Sequence, residues 1–205
     1  MNNIKNIIFD FDGTLANTSQ GVKESVAFAL DSLHIIHSSI GDDVIGPSPF
    51  YLYNKVFNLD NDIAKQAVIL HRKYSNDEAY KTAIIYDGVQ CCLQYLKKRG
   101  IKLFIVSLKK ESVINKILIK NNLHDYFDKI VGITIDETLS KIDLLKSVKK
   151  LIDFNESIYV GDTEQDYNCC KQINLRFCFA KYGFGRVNKK CFYTIDTFSD
   201  ILGLI

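Results

Sequence analysis

Four short polar clusters carry the side chains with which this chain could do chemistry. The first, Asp10-Phe11-Asp12-Gly13-Thr14, follows the apolar Ile7-Ile8-Phe9. Two residues apart on extended backbone, the carboxylates of Asp10 and Asp12 point the same way. Gly13 permits a tight turn with exposed amides. Ser107 ends Phe104-Ile105-Val106, Lys141 opens a helical pattern, and Gly161-Asp162-Thr163-Glu164-Gln165-Asp166 follows Ile158-Tyr159-Val160. Asp10, Asp12 and Asp162 are hard oxygen donors, too few for a calcium cage. They suit Mg2+, which keeps waters and substrate phosphate in its octahedron. Ser107 and nearby amides would hold other phosphate oxygens, and Lys141 would neutralise their charge. These are the parts of a phosphoryl-transfer site: positioning, a metal and a cation. One carboxylate would attack phosphorus. The other would protonate the leaving oxygen and then deprotonate water.

Such groups act together only if strands bring them to one edge. Ile4–Phe9 reads as a buried strand. From Gly88 onward strands and helices alternate: helix 89–98 stopped by Gly100, strand 102–107, helix 111–121, strand 129–133, helix 139–151, strand 157–160, helix 163–173, strand 176–180 and a short strand 192–195. That alternation predicts a Rossmann-like, three-layer α/β core on a parallel sheet, with ligands bound beyond the carboxyl ends of the strands. Residues 16–84 read as entirely helical, with helices from Thr18 or Ser19 to about His34, over 50–57 after the Gly46-Pro47-Ser48-Pro49 break, and over 60–74. The expected organisation is a core of 1–15 and 85–205, interrupted by an all-helical cap domain, 16–84.

The remaining features are bland. The 205 residues include 26 basic and 24 acidic ones, and a net charge of +2 gives no pull toward nucleic acid or membrane surfaces. No apolar run approaches the ~20 residues that cross a bilayer. Met1-Asn2-Asn3 leads into only a short apolar stretch before Asp10, so no signal peptide is expected and the expected location is cytoplasmic. Cys91, Cys92, Cys169, Cys170, Cys178 and Cys191 form neither C-x-x-C pairs nor a zinc pattern, and read as buried free thiols. His34, His37, His71 and His124 share no ligand spacing and read as structural. Lys109-Lys110 and Lys189-Lys190 read as solvated surface. Phe50, Tyr51 and Tyr53 read as cap core.

The four clusters, in this order, resemble the motifs of the haloacid dehalogenase superfamily, and within it the phosphoglycolate phosphatase-like subfamily with a helical cap. Tyr182-Gly183-Phe184-Gly185 resembles that subfamily's aromatic-glycine turn. The resemblance implies Asp10 as the nucleophile that becomes an aspartyl-phosphate, and Asp12 as general acid/base with a metal-binding carbonyl. It implies phosphate contacts from Ser107, the Leu108 amide and the Gly13-Thr14 turn, and Lys141 bridging nucleophile and phosphate. Asp162 would bind Mg2+, and Asp166 would orient a metal water or Lys141. In that subfamily the loop carrying Phe50, Tyr51 and Tyr53 faces the active site. The implied activity is Mg2+-dependent hydrolysis of a small phosphorylated metabolite, with no nucleic-acid or membrane partner. A β-phosphoglucomutase-like mutase and a non-catalytic phosphate-binding module are the alternatives. Two departures stand out: Ser107-Leu108-Lys109 where relatives often carry Thr-Asn-Lys, and Ile142 where proline usually follows the lysine.

Overall fold

The computed structural model describes residues 4–134 and 139–205, so Met1-Asn2-Asn3 of the leader reading lies outside the described residues. A six-stranded sheet organises the first unit, in the order β5-β4-β1-β6-β7-β8, and every neighbouring pair is parallel. Its strands are β1 Asn6–Phe9, β4 Lys102–Lys110, β5 Lys129–Ile133, β6 Ser157–Gly161, β7 Arg176–Ala180 and β8 Tyr193–Ile195. The connecting helices are α4 Val89–Lys98, α5 Glu111–Lys120, α6 Lys141–Lys149 and α7 Glu164–Gln172. This is the Rossmann-like α/β fold.

Ile8, Phe104, Val106, Tyr159 and Phe177 pack with Leu144, Leu145 and Val148 of α6 and with Cys169 and Cys170 of α7. The alternate residues Ile7, Phe9 and Ile105 are equally buried, and Phe9 stacks on Phe198. Both faces of the sheet are therefore covered, which is why these strands read as unbroken apolar runs rather than alternating ones.

Contacts divide the chain into Met1–Asn17 with Ile84–Ile205, and Thr18–Ala83. The expectation that 16–84 is helical throughout is corrected at its ends. Ala16–Asn17 (β2) and Ile84–Ile85 (β3) form a two-stranded antiparallel ribbon within the first unit. The β-branched pair Ile84-Ile85 favours that ribbon over another helical turn.

The second unit contains α1 Ser19–Ser32, α2 Pro49–Tyr51, a π-helical turn over Leu52–Val56 and α3 Asn61–Asp77. Pro49 opens α2 where its missing N–H is harmless. Asp60 caps α3, accepting from the amides of Asp62 and Ile63. Of the three aromatics read as core, only Tyr53 is buried, donating to or accepting from His71 Nδ1 at 3.0 Å, whereas Phe50 and Tyr51 are exposed. Cys91 is likewise exposed, on the outer side of α4, while four of the other thiols are buried. Among the described residues no helix is long and apolar enough to cross a membrane.

Candidate active site

The strand order places β1 between β4 and β6, so the chain departs in opposite directions from the two sides of β1. Such a switch point leaves a crevice at the carboxyl ends of the strands. Asp10 is the first residue beyond β1, Asp162 the first beyond β6, and Ser107 lies late in β4. Asp10, Ser107, Lys141, Asp162 and Asp166 are all buried.

Lys141 is the hub. Its Nζ donates to Asp10 Oδ2 at 2.7 Å and to Asp166 Oδ1, and lies 5.6 Å from the centre of the Tyr159 ring. A lysine at a helix N-terminus opposes the helix dipole, and burial alone would lower its pKa. The charges and hydrogen bonds of Asp10 and Asp166 reverse this and hold the ammonium raised. The start of α6 that proline would preorganise is fixed here by a capping box: Ser140 Oγ accepts from the Asp143 amide, and Asp143 accepts from the Ser140 amide. Ile142 instead packs against the core cluster.

Asp166 occupies the equivalent position in a second capping box. Its Oδ2 accepts from the amide and hydroxyl of Thr163, at 3.0 and 2.6 Å, while its Oδ1 takes Lys141. Both oxygens are engaged, one by Lys141 and the other by Thr163. The helix N-cap is Thr163, not Asp162.

Asp162 is held by the aromatic-glycine turn: Oδ2 accepts from the amides of Phe184 (2.8 Å) and Gly185 (3.2 Å). Gly183 is required there, because a Cβ would collide with Asp162 and the Gly13 carbonyl. Burial, then the charges of Asp10 and Asp166, push the Asp162 carboxyl up to about 7. Its Oδ1 is buried and, among the described residues, has no hydrogen-bond partner. Burial likewise raises Asp10 to about 6, against the pull of Lys141. Oxygens of Asp10, Asp162 and Asp166 lie within 4.8 Å of one another. A partnerless buried carboxylate oxygen beside two other carboxylates is the environment a hard dication would relieve, so the residues fit Mg2+.

The Gly13-Thr14 turn departs from expectation. The Gly13 amide donates to Ala16 O at 2.9 Å and the Thr14 amide to Phe11 O at 3.3 Å, so both close the turn instead of facing a phosphate. Thr14 is wholly buried, and among the described residues its hydroxyl has no partner. Gly13 has φ +73°, and a Cβ there would strike Asp162.

Two groups escaped the sequence reading. Lys109 is not solvated surface: its side chain is 11% exposed and its Nζ lies 3.1 Å from Asp12 Oδ1. Alternation along β4 gives the reason, since 107 and 109 share a face. Leu108 turns away and packs against the core cluster, so the missing polar side chain at that position is not presented with its neighbours. Tyr159 sits in β6 with its hydroxyl donating to Val106 O at 2.9 Å. A tyrosine in a strand buried on both faces needs such a partner, and that signal was available in the sequence.

Fold and site together define an α/β protein with an acidic, lysine-bridged centre at the carboxyl ends of its strands. Residues 7–180 match the haloacid dehalogenase-like hydrolase family model, and the chain belongs to that family. It is similar to a phosphoglycolate phosphatase of Aquifex aeolicus, 29% identical over 97% of this chain and 95% of the relative. It is also similar to pyrophosphatase PpaX of Bacillus cereus, 27% identical over 98% and 96%. The tyrosine-protein kinase PtkA of Mycobacterium tuberculosis is 24% identical, over 89% of this chain but 64% of its own length. Among solved structures, a "predicted phosphatase" from Clostridium acetobutylicum superposes with a TM-score of 0.89 at 27% identity, covering 98% and 99% of the two chains. The chain is an enzyme of the phosphatase class within this family.

Proposed function

We propose that the chain is a Mg2+-dependent phosphomonoesterase, acting on a small phosphorylated metabolite through phospho-Asp10. The observation that carries this reading is the buried Asp10–Lys141–Asp166 line beside the partnerless Asp162 Oδ1, at the carboxyl end of β1. Asp10 and Asp162, with the Asp12 carbonyl, would hold the ion. Magnesium, when bound, supplies charge neutralisation and orientation of the phosphoryl group.

The remaining work falls to the chain itself. Lys141 keeps Asp10 ionised and its Oδ2 fixed in place, and shares its charge with the incoming phosphate. The Ser107 hydroxyl, buried at 3% exposure, donates to a phosphoryl oxygen. An oxygen of Asp10 forms a bond to phosphorus as the ester P–O bond breaks. The departing electron pair goes to the ester oxygen, which takes the proton of Asp12 and leaves as an alcohol. Water then attacks phosphorus and returns a proton to Asp12, releasing inorganic phosphate and the Asp10 carboxylate. In this reading Thr18–Ala83 is the inserted cap domain.

The relatives named above make phosphoglycolate and pyrophosphate the first substrates to try. The test is phosphate release from a panel of phosphomonoesters and pyrophosphate, with and without Mg2+, by wild type and Asp10→Asn. Metal-dependent release, lost by at least about 10³-fold in the variant, is expected. Wild-type rates in Asp10→Asn refute the nucleophile. Phosphorus NMR of the products separates hydrolysis from mutase chemistry, which would yield an isomerised sugar phosphate.

A further inference from the structure

We infer that Lys109 is a positioning residue that fixes the Asp12 carboxylate for proton delivery to the leaving oxygen. The inference rests on the phosphatase reading above and adds a group to it. Lys109 Nζ spans both carboxylate oxygens of Asp12, at 3.1 Å from Oδ1 and 3.3 Å from Oδ2. The Lys109 backbone is itself held. The Lys109 amide donates to Ser107 Oγ at 3.2 Å, and β4 shifts register against β5 between Val106 and Lys110. The following residue, Lys110, is exposed, so the arrangement is specific to one of two adjacent lysines.

The charge distribution explains why Asp12 needs this partner. Its side chain is 32% exposed, against 9% for Asp10. Asp10 lies close enough to feel the charge of Asp12, and Asp166 adds to the same negative field. Like charges would drive an unrestrained Asp12 toward solvent. Lys141 directs its hydrogen bonds to Asp10 and Asp166. Lys109 therefore places one cation on Asp12 while Lys141 serves the nucleophile. A carboxyl positioned within hydrogen-bond reach contributes about 10²–10⁴-fold to proton transfer, and a displacement of about 1 Å costs on the order of 10²-fold.

The test compares substrates that differ in their need for that proton. A 4-nitrophenolate leaves as the anion, whereas an alkoxide must be protonated as the P–O bond breaks. Pre-steady-state release of the leaving group is measured with 4-nitrophenyl phosphate and with the alkyl monophosphate that wild type turns over fastest. Lys109→Met is expected to lower the alkyl-to-aryl ratio of rates by about 10–100-fold, as Asp12→Asn also should. Lys109→Arg is expected to restore most of the ratio, because a guanidinium can bridge the same carboxylate. An equal loss on both substrates, a rise in KM alone, or no change in Lys109→Met overturns the inference. If Lys109→Met unfolds, Lys109→Gln is read by the same ratio. Absence of turnover by wild type on every phosphate ester would instead refute the phosphatase reading, and a selective effect in Asp12→Asn without one in the Lys109 variants would refute this inference alone.

Discussion

Replacing Asp162 by asparagine should make the metal-free protein more stable at alkaline pH while removing its response to Mg2+. Burial, and then the charges of Asp10 and Asp166, push the Asp162 carboxyl up to about 7 from 3.8. A group whose pKa is raised in the folded state stabilises fully below its unfolded pKa, and that contribution is lost as pH rises through the folded value. The window here runs from about pH 4 to pH 7, and the full difference is about 4 kcal/mol at 1.36 kcal/mol per pH unit. Asp10 titrates in contact with it, so about half that figure is expected from Asp162 alone. Asparagine keeps an oxygen to accept from the Phe184 and Gly185 amides, and its amide nitrogen can donate to a neighbouring carboxylate. A gain of about 2 kcal/mol corresponds to a rise of about 4–8 °C in a chain this long. The assay is calorimetric unfolding in chelator from pH 4 to pH 8. The wild-type and Asp162→Asn curves should separate progressively as pH rises. With Mg2+ at a hundred times its Kd the wild type should gain about 2.7 kcal/mol, and the variant should gain far less. Parallel curves across the pH range would refute the electrostatic reasoning, and an equal Mg2+ response would refute the metal assignment.

Gly183→Ala would set a methyl group against Asp162 and the Gly13 carbonyl, forcing the turn off its carboxylate. A loss of about 1–3 kcal/mol in urea unfolding is expected, with Mg2+ affinity down about 10–100-fold in a calorimetric titration. Asp128 offers the opposite pH sign. Burial would raise it, but the Leu103 amide and Lys97 hold it below the ordinary carboxylate range. Its contribution is present above the unfolded pKa and lost as pH falls through the folded value. Acid-induced unfolding of Asp128→Asn should therefore begin from lower stability at neutral pH and converge on wild type below about pH 4.

The core was legible because both its signals are local. Apolar runs such as Phe104-Ile105-Val106 mark strands covered on both faces, and Arg176–Ala180 and Lys129–Ile133 fall where the periodicity puts them. The polar residues at the run ends stand out for the same reason. What was not legible depends on tertiary neighbours. Ala16-Asn17 and Ile84-Ile85 become strands only by pairing across the intervening helical segment. The π turn at Leu52–Val56 leaves Tyr53 inside and Phe50 and Tyr51 outside, which 3.6-residue spacing does not foretell. The Gly13 and Thr14 amides looked free until the carbonyls of Ala16 and Phe11 claimed them. Lys109 was misplaced because adjacent lysines suggest solvent, although alternation from Ser107 already pointed its side chain toward the carboxylates.

The arrangement of charge explains why this site is built on this sheet. Among the described residues, Asp10 and Asp166 pair with Lys141 and Asp12 pairs with Lys109, so four carboxyls share two ammonium groups in a largely buried setting. Left without a dication, that cluster opposes folding. It persists because the strands beneath it supply cohesion from elsewhere: β1 is buried along its whole length, and Ile158, Tyr159 and Val160 of β6 are fully buried. Tyr159 makes the connection explicit. Its ring lies against the core cluster, its hydroxyl ties β6 to β4 through Val106, and its face lies under Lys141. The same strands that stabilise the protein therefore hold the groups that strain it, at the spacing the proposed phosphoryl transfer would need. Relaxing one carboxylate, as in Asp162→Asn, should exchange metal binding for stability, as expected of a site where function opposes folding.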